Sequence, residues 1–265
     1  MIISASYKDI KQKQDFAFSV NNAPNNMALA ICDGIGQYED SGKAAKEVID
    51  LFFQDLTTNI KDLQLFVNSA NKQLKELEII GGTTFICGIV KQEKIKISYL
   101  GNGGVIHCFG DFAINSMTNL PYRFSEIMLP HVNKKGHLTK HISHNSGENE
   151  LQLSSLELNL NSPVGDILLF YTDGINSSEE NFILKDDEGR FWRKESTVIQ
   201  IILKELNLWL NTKNASEIKE DIKFFNKEIL EKLNDDGLLE DDASLGIIIT
   251  DSVLEYYHNL KHSND

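Results

Sequence analysis

The chain has 265 residues and a formal net charge of −13, with 41% hydrophobic and 25% charged residues. That is enough apolar material for a sizeable core in a globular domain, and the acidic balance excludes nucleic acid as the main partner, because phosphate backbones need a basic face. Cys32, Cys87 and Cys108 lie in apolar runs without CxxC spacing, so they read as buried free thiols of a reducing compartment. The first residues, MIISASYKDIKQKQ, lack the pattern of a signal peptide, and no run approaches the roughly 18 apolar residues of a membrane span. A cytoplasmic protein with no membrane partner is the expectation.

Residues 16–20 and 28–32 read as strands joined by the turn-rich NNAPNN. The following EDSGKAAKEVIDLFFQDL places Ala44, Ala45, Val48, Ile49, Phe52, Phe53 and Leu56 on one helical face. A second amphipathic helix carries Leu63, Phe66, Val67, Ala70, Leu74 and Leu77 and stops at Gly81-Gly82. The strands TTFICGIV, KIKISYL and VIHCF come next, and GNGG between the last two reads as a hairpin turn. Residues 111–160 read as one long polar loop, with His131, His137, His141 and His144 as solvated loop histidines. A strand at 167–171, a polar loop to about residue 194, helices at about 196–210 and 215–233, and a strand at 244–250 complete the order. Strands, two helices, many strands, two helices and a strand segregate as in an α+β protein with antiparallel sheets. The expectation is one domain over 1–265.

Two of the most apolar strands run into Asp-Gly: ALAICDGIG ends on Asp33-Gly34 and DILLFYTDGI on Asp173-Gly174. EDDASLGIIIT places Asp241 and Asp242 just ahead of a third apolar strand. In an antiparallel sheet the end of one strand lies beside the start of its neighbour, so Asp33, Asp173 and Asp241 can meet at one rim. Carboxylates gathered there repel one another unless a cation holds them. All-oxygen donors without a His or Cys pair favour Mg²⁺ or Mn²⁺ over zinc, and the glycine after each of the first two aspartates offers a carbonyl as a further ligand. Taken singly, an Asp-Gly at a strand end is an ordinary turn.

The ordered set QDFAF, AICDGIGQYEDSGKAA, GGTTFICGIV, ISYLGNGGVIH, ILLFYTDGI and DDASLGIII resembles the type 2C family of metal-dependent protein serine/threonine phosphatases along nearly the whole chain. The resemblance implies two packed antiparallel sheets flanked by helices on both outer faces. It also implies a centre of two Mg²⁺ or Mn²⁺ ions, with Asp33 bridging both, the Gly34 carbonyl on one, Asp173 and Asp241 on the other, and Asp15 nearby behind a water. A water between the ions would attack phosphorus directly, and the substrate would be a phosphoprotein made by an opposing serine/threonine kinase.

Four positions depart from the family pattern. Gln14 stands where many members have Glu; Asn102 stands where a carboxylate helps bind a third metal; Ile35 replaces the His of some members. Ile10 occupies the place of a phosphate-binding Arg, which leaves Lys8, Lys11 or Lys13 as substitutes. If the segment is extended, Lys11 shares a face with Lys13 and Asp15, which makes Lys11 the expected phosphate ligand. Two other readings of the chain are a catalytically weakened phosphatase-like scaffold that binds a partner, and a hydrolase for a small phosphorylated metabolite.

Overall fold

The computed structural model describes residues 1–22, 26–57, 62–110, 122–179, 183–185, 191–193 and 196–262. In chain order these form β1 (Ile2–Lys8), β2 (Phe16–Asn22), β3 (Asn26–Cys32), α1 (Ser41–Thr57), α2 (Leu63–Glu76), β4 (Gly82–Thr83), β5 (Phe85–Lys91), β6 (Lys94–Leu100) and β7 (Gly104–Gly110). They continue with β8 (Tyr122–Glu126), β9 (Ile142–Ser143), β10 (Ser154–Asn159), β11 (Asp166–Tyr171), β12 (Ile183–Lys185), β13 (Phe191–Arg193), α3 (Thr197–Thr212), α4 (Ala215–Asp235), β14 (Ala243–Ile249) and α5 (Asp251–His262). One five-stranded sheet has the order β1-β14-β11-β7-β8 and the other β10-β6-β5-β3-β2. Every pairing in both sheets is antiparallel. The protein is α+β, with helices on both outer faces.

Side-chain alternation explains why β11 and β14 are apolar without a break. Leu168 and Phe170 of β11 join Ile248, Leu29, Ile31 and Ile86 in the core between the sheets. Ile167, Leu169 and Tyr171 point the other way, into a core with Ile202, Leu206, Ile222, Ile229 and Val253 of α3, α4 and α5. A strand covered on both faces has no polar positions to spare. On the opposite side, Ala28, Ala30, Cys32, Phe85 and Cys87 pack under Val48, Phe52, Phe66 and Val67 of α1 and α2. All three cysteines are buried and free.

Three expectations need correction. Of the stretch 111–160, residues 111–121 lie outside the described residues, and 122–160 is not one loop: β8, β9 and β10 lie in it. β10, SSLELN, alternates half-buried with exposed side chains on the edge of its sheet, and so short a polar edge strand carries little sequence signal. Nor is GNGG a hairpin. β6 belongs to one sheet and β7 to the other, so the turn carries the chain between layers. Finally, residues 2–8 form β1, where Ser4 and Ser6 interrupt the apolar pattern that would signal a strand.

Candidate active site

Five segments converge at one end of the two sheets: the loop 9–15, the end of β3, the turn after β6, the end of β11 and the start of β14. Asp33, Asp173, Asp241, Asn102, Gln12 and Gln14 line the cleft they make, with Gly34, Ile35, Thr84 and Leu138. Its volume is about 210 Å³, below the roughly 300–1,000 Å³ of a drug-sized ligand pocket, so it suits ions and a phosphoryl group. Larger grooves lie along α4, but their carboxylates, such as Glu228 and Glu231, sit on the helix surface beside Lys232 and do not meet at strand ends.

The backbone at Asp33 is clamped. Its N–H donates to Thr84 Oγ1 (3.0 Å), and its carbonyl accepts from the Thr84 N–H (2.8 Å) and Thr83 Oγ1 (2.9 Å). This is the task of the GGTT segment. A side chain at position 34 would come within 2.9 Å of the Ser41 backbone and Gln14 Cβ, so only glycine lets these segments close.

Asp15 is fully buried. Its Oδ2 accepts from Thr172 Oγ1 at 2.7 Å, and Thr172 Oγ1 in turn accepts the Ser244 N–H at 2.8 Å. The other oxygen, Oδ1, is buried with no hydrogen-bond partner among the described residues. Asp173 opens a short 3₁₀ turn, Asp173–Asn176, and accepts a hydrogen bond from the Asn102 side-chain amide. Gly174 allows this turn to sit on the 241–243 backbone, since a Cβ there would lie 1.8 Å from the Asp242 carbonyl.

The carboxyls act on one another. Burial, and then the neighbouring charge of Asp173, raises Asp15 to about 7 even though Thr172 opposes the shift. Burial and the charges of Asp15 and Asp173 push Asp33 well above the usual range. Asp173 is raised by burial and by Asp241. The Asp173 side chain opens to the cleft and shares it with Asp33 and Asp241.

Asp242 has a different task from Asp241. Its carboxylate accepts the N–H groups of Ile10 (2.6 Å), Lys11 (2.8 Å), Gln12 (3.2 Å) and Gln14 (2.8 Å). Burial alone would raise its carboxyl, but those four donors outweigh burial and hold it below the ordinary value. The loop is thus wound around Asp242 and is not extended. The alternation that pointed to Lys11 fails for this reason: Gln12 and Gln14 line the cleft, while Lys11 is exposed and does not. Lys8 is paired with Glu231 of α4 at 2.6 Å.

Of the four histidines expected to be solvated, His137 is exposed as expected, whereas His131, His141 and His144 are not. His131 stacks on Tyr99, accepts the Gly101 N–H at its Nδ1 (3.2 Å) and contacts Ser154 Oγ through Nε2 (2.8 Å). Burial lowers it to about 4, so it is a neutral brace for the Gly101–Asn102 turn. His141 is buried, and His144 lies against Tyr38 and the Gly81 carbonyl.

Among the described residues no three His, Cys, Asp or Glu side chains are arranged to hold a metal by themselves. The donor chemistry nonetheless fits a hard divalent ion. Three mutually repelling carboxyls and the unpartnered Asp15 oxygen gain from positive charge, and Mg²⁺ typically takes one or two carboxylates while keeping several waters. Sequence reasoning missed Thr172, Asp242 and the bracing role of His131. Nothing in EDDASL separates Asp241 from Asp242.

No family model and no curated protein sequence matches the chain. Its fold has counterparts among solved structures. The serine/threonine phosphatase Stp1 from Staphylococcus aureus is 16% identical with a TM-score of 0.64, over 94% of this chain and 95% of that one. A serine/threonine phosphatase of S. agalactiae is 14% identical at 0.63, over 92% and 97%. A C. elegans sex determining protein is 13% identical at 0.65, over 97% of this chain and 66% of that one. The chain therefore has the fold of the bacterial serine/threonine phosphatases, the fold that its resemblance to the type 2C family implies.

Proposed function

We propose that the chain is a metal-dependent phosphatase that hydrolyses phosphoserine and phosphothreonine in proteins, opposing a serine/threonine kinase. The observation that carries this reading is the convergence of Asp33, Asp173 and Asp241 on one small polar cleft, with Asp15 buried beside them. Asp33, the Gly34 carbonyl, Asp173 and Asp241 would hold the ions, with Asp15 behind them. A pair of Mg²⁺ or Mn²⁺ ions supplies charge compensation for the phosphoryl oxygens and an acidified water as nucleophile.

The chain's own residues do the positioning. Thr83 and Thr84 fix the Asp33 backbone, Thr172 fixes Asp15 and Asn102 fixes Asp173. Ile35 lines the cleft and has no proton to give, so the leaving serine or threonine oxygen takes its proton from water.

One observation favours the second reading, a phosphatase-like scaffold with weakened catalysis: no Lys, Arg or His lines the cleft among the described residues. One experiment separates the two. Hydrolysis of an aryl phosphate and of a phosphothreonine peptide is measured with Mg²⁺, with Mn²⁺ and after dialysis against EDTA. Metal-dependent turnover supports the phosphatase. Turnover that persists in EDTA removes the metal, and no turnover under any condition leaves the scaffold.

A further inference from the structure

We infer that Gln12 and Gln14 form a two-amide lip that binds the main chain of a polypeptide substrate beside the phosphoryl position, which makes the natural substrate a phosphorylated polypeptide and not a small phosphate ester. The inference rests on the proposed phosphatase reading and deepens it.

Three observations lead there. First, both side chains lie at the mouth of the carboxylate cleft. Both border Gly36: a Cβ built on that glycine would be 3.4 Å from Gln12 Oε1 and 3.7 Å from Gln14 Oε1. Second, the loop that presents them is fixed by its backbone, through the N–H groups of residues 10, 11, 12 and 14 on Asp242 and the Gly34 N–H on the Gln14 carbonyl (3.1 Å). The side chains contribute nothing to that scaffold. Third, neither carboxamide is engaged by another protein group among the described residues, although Gln14 is half-buried.

The chemistry selects the ligand. A carboxamide carries one acceptor oxygen and two N–H donors. A phosphoryl group offers only acceptors, so it uses half of that capacity. A peptide group offers a donor and an acceptor together and uses all of it. Two carboxamides side by side match successive peptide units of an extended chain passing over the cleft. They are also neutral, and so do not compete with a metal cation for the aspartates as the Lys11 ammonium would at the same place.

The test compares the unmodified protein with Gln12→Ala, Gln14→Ala and the double variant. Alanine keeps the Cβ of Gln14 that touches Gly34, and it leaves the Asp242 bonds in place, so folding is retained; far-UV circular dichroism checks this. Two readouts are taken in Mn²⁺: kcat/KM on a phosphothreonine peptide of alanine and arginine, and kcat/KM on an aryl phosphate that has no peptide group. The ratio of the two is expected to fall about three- to tenfold per glutamine, the factor that one neutral hydrogen bond is worth. A ratio unchanged in the double variant overturns the inference, whatever happens to the separate values. If the unmodified protein hydrolyses neither compound, the phosphatase reading fails on its own. The lip is then judged by fluorescence anisotropy of the labelled peptide: weaker binding by the double variant supports it and equal binding overturns it.

Discussion

The side-chain amide of Asn102 donates a hydrogen bond to Oδ2 of Asp173. The turn between the sheets therefore does not leave position 102 pointing at solvent for a third ion. It spends the amide on orienting an aspartate of the cleft, and His131 braces the turn from behind. Asn102→Ala should weaken half-saturation by Mn²⁺ about tenfold, as loss of a partner behind a metal ligand does. Asn102→Asp cannot donate and sets a carboxylate against a carboxylate, so it should resemble Asn102→Ala and should not add a further ion. Isothermal calorimetry with Mn²⁺ gives both affinity and stoichiometry; an added site in Asn102→Asp would restore the third-metal role that the family resemblance suggests.

Asp15 makes stability depend on pH in a definite direction. Its folded value, about 7, lies above the unfolded value near 3.8. The unfolded chain therefore releases this proton first, so the stabilisation is complete below pH 3.8 and is lost as the pH rises toward 7. The melting temperature of metal-free protein should fall across that window. Asp15→Asn, which stays neutral and keeps an oxygen for Thr172, should flatten the fall. Mn²⁺ should raise the melting temperature more at pH 7 than at pH 5, because it meets a more fully ionised cluster. A melting temperature equal at pH 4.5 and pH 7 in the metal-free protein would remove this assignment.

Backbone approach gives a prediction independent of metal. A Cβ on Gly174 would lie 1.8 Å from the Asp242 carbonyl, and the obstacle is backbone, not the movable end of a side chain. Gly174→Ala should cost about 3 kcal/mol or more, at or beyond the upper end of overpacking costs. Gly147→Ala is the control, since only the far end of Glu150 lies within 4.0 Å of its Cβ. Urea melts of both variants check the difference.

Much of this site could be read from the sequence, and for a physical reason. β3, β11 and β14 are buried on both faces, so each is a continuous apolar run whose end is easy to see. Asp33, Asp173 and Asp241 sit at those ends; antiparallel pairing of β11 with β14 brings Asp173 and Asp241 together, whereas Asp33 reaches the same cleft because its own sheet packs on theirs, not because its strand pairs with them. What stayed hidden depends on where loops cross. The path of residues 9–15 is set by Asp242, some 230 residues away in sequence, and no local pattern shows that Gln12 and Gln14 turn inward while Lys11 turns out. GNGG satisfies every rule for a hairpin, yet the strands it joins pair with other partners. That His131 and His144 are covered is hidden for the same reason, since Tyr99 packs on His131 and Tyr38 on His144 from segments distant in sequence.

Adjacent Asp241 and Asp242 provide the sharpest separation of function from fold. Both border the cleft, but Asp242 is buried and collects four backbone donors, whereas Asp241 is exposed and accepts the Asp242 N–H at 3.0 Å. Asp242→Ala leaves the N–H groups of residues 10, 11, 12 and 14 without their acceptor. Each hydrogen bond to a charged group is worth about 1.5–3 kcal/mol, and even partial compensation by water leaves the loop free to move. Amide hydrogen exchange at Lys11, Gln12 and Gln14 should accelerate at least about tenfold, and the melting temperature should fall. Asp241→Ala should leave the exchange of those amides within about twofold of the unmodified protein while abolishing metal-dependent turnover, because it removes a carboxylate from the cleft and nothing from the loop. Asp242→Asn should fall between the two, since an amide oxygen still accepts but carries no charge. Equal loop protection in Asp241→Ala and Asp242→Ala would show that the two aspartates share one task and that the loop owes its shape to something else.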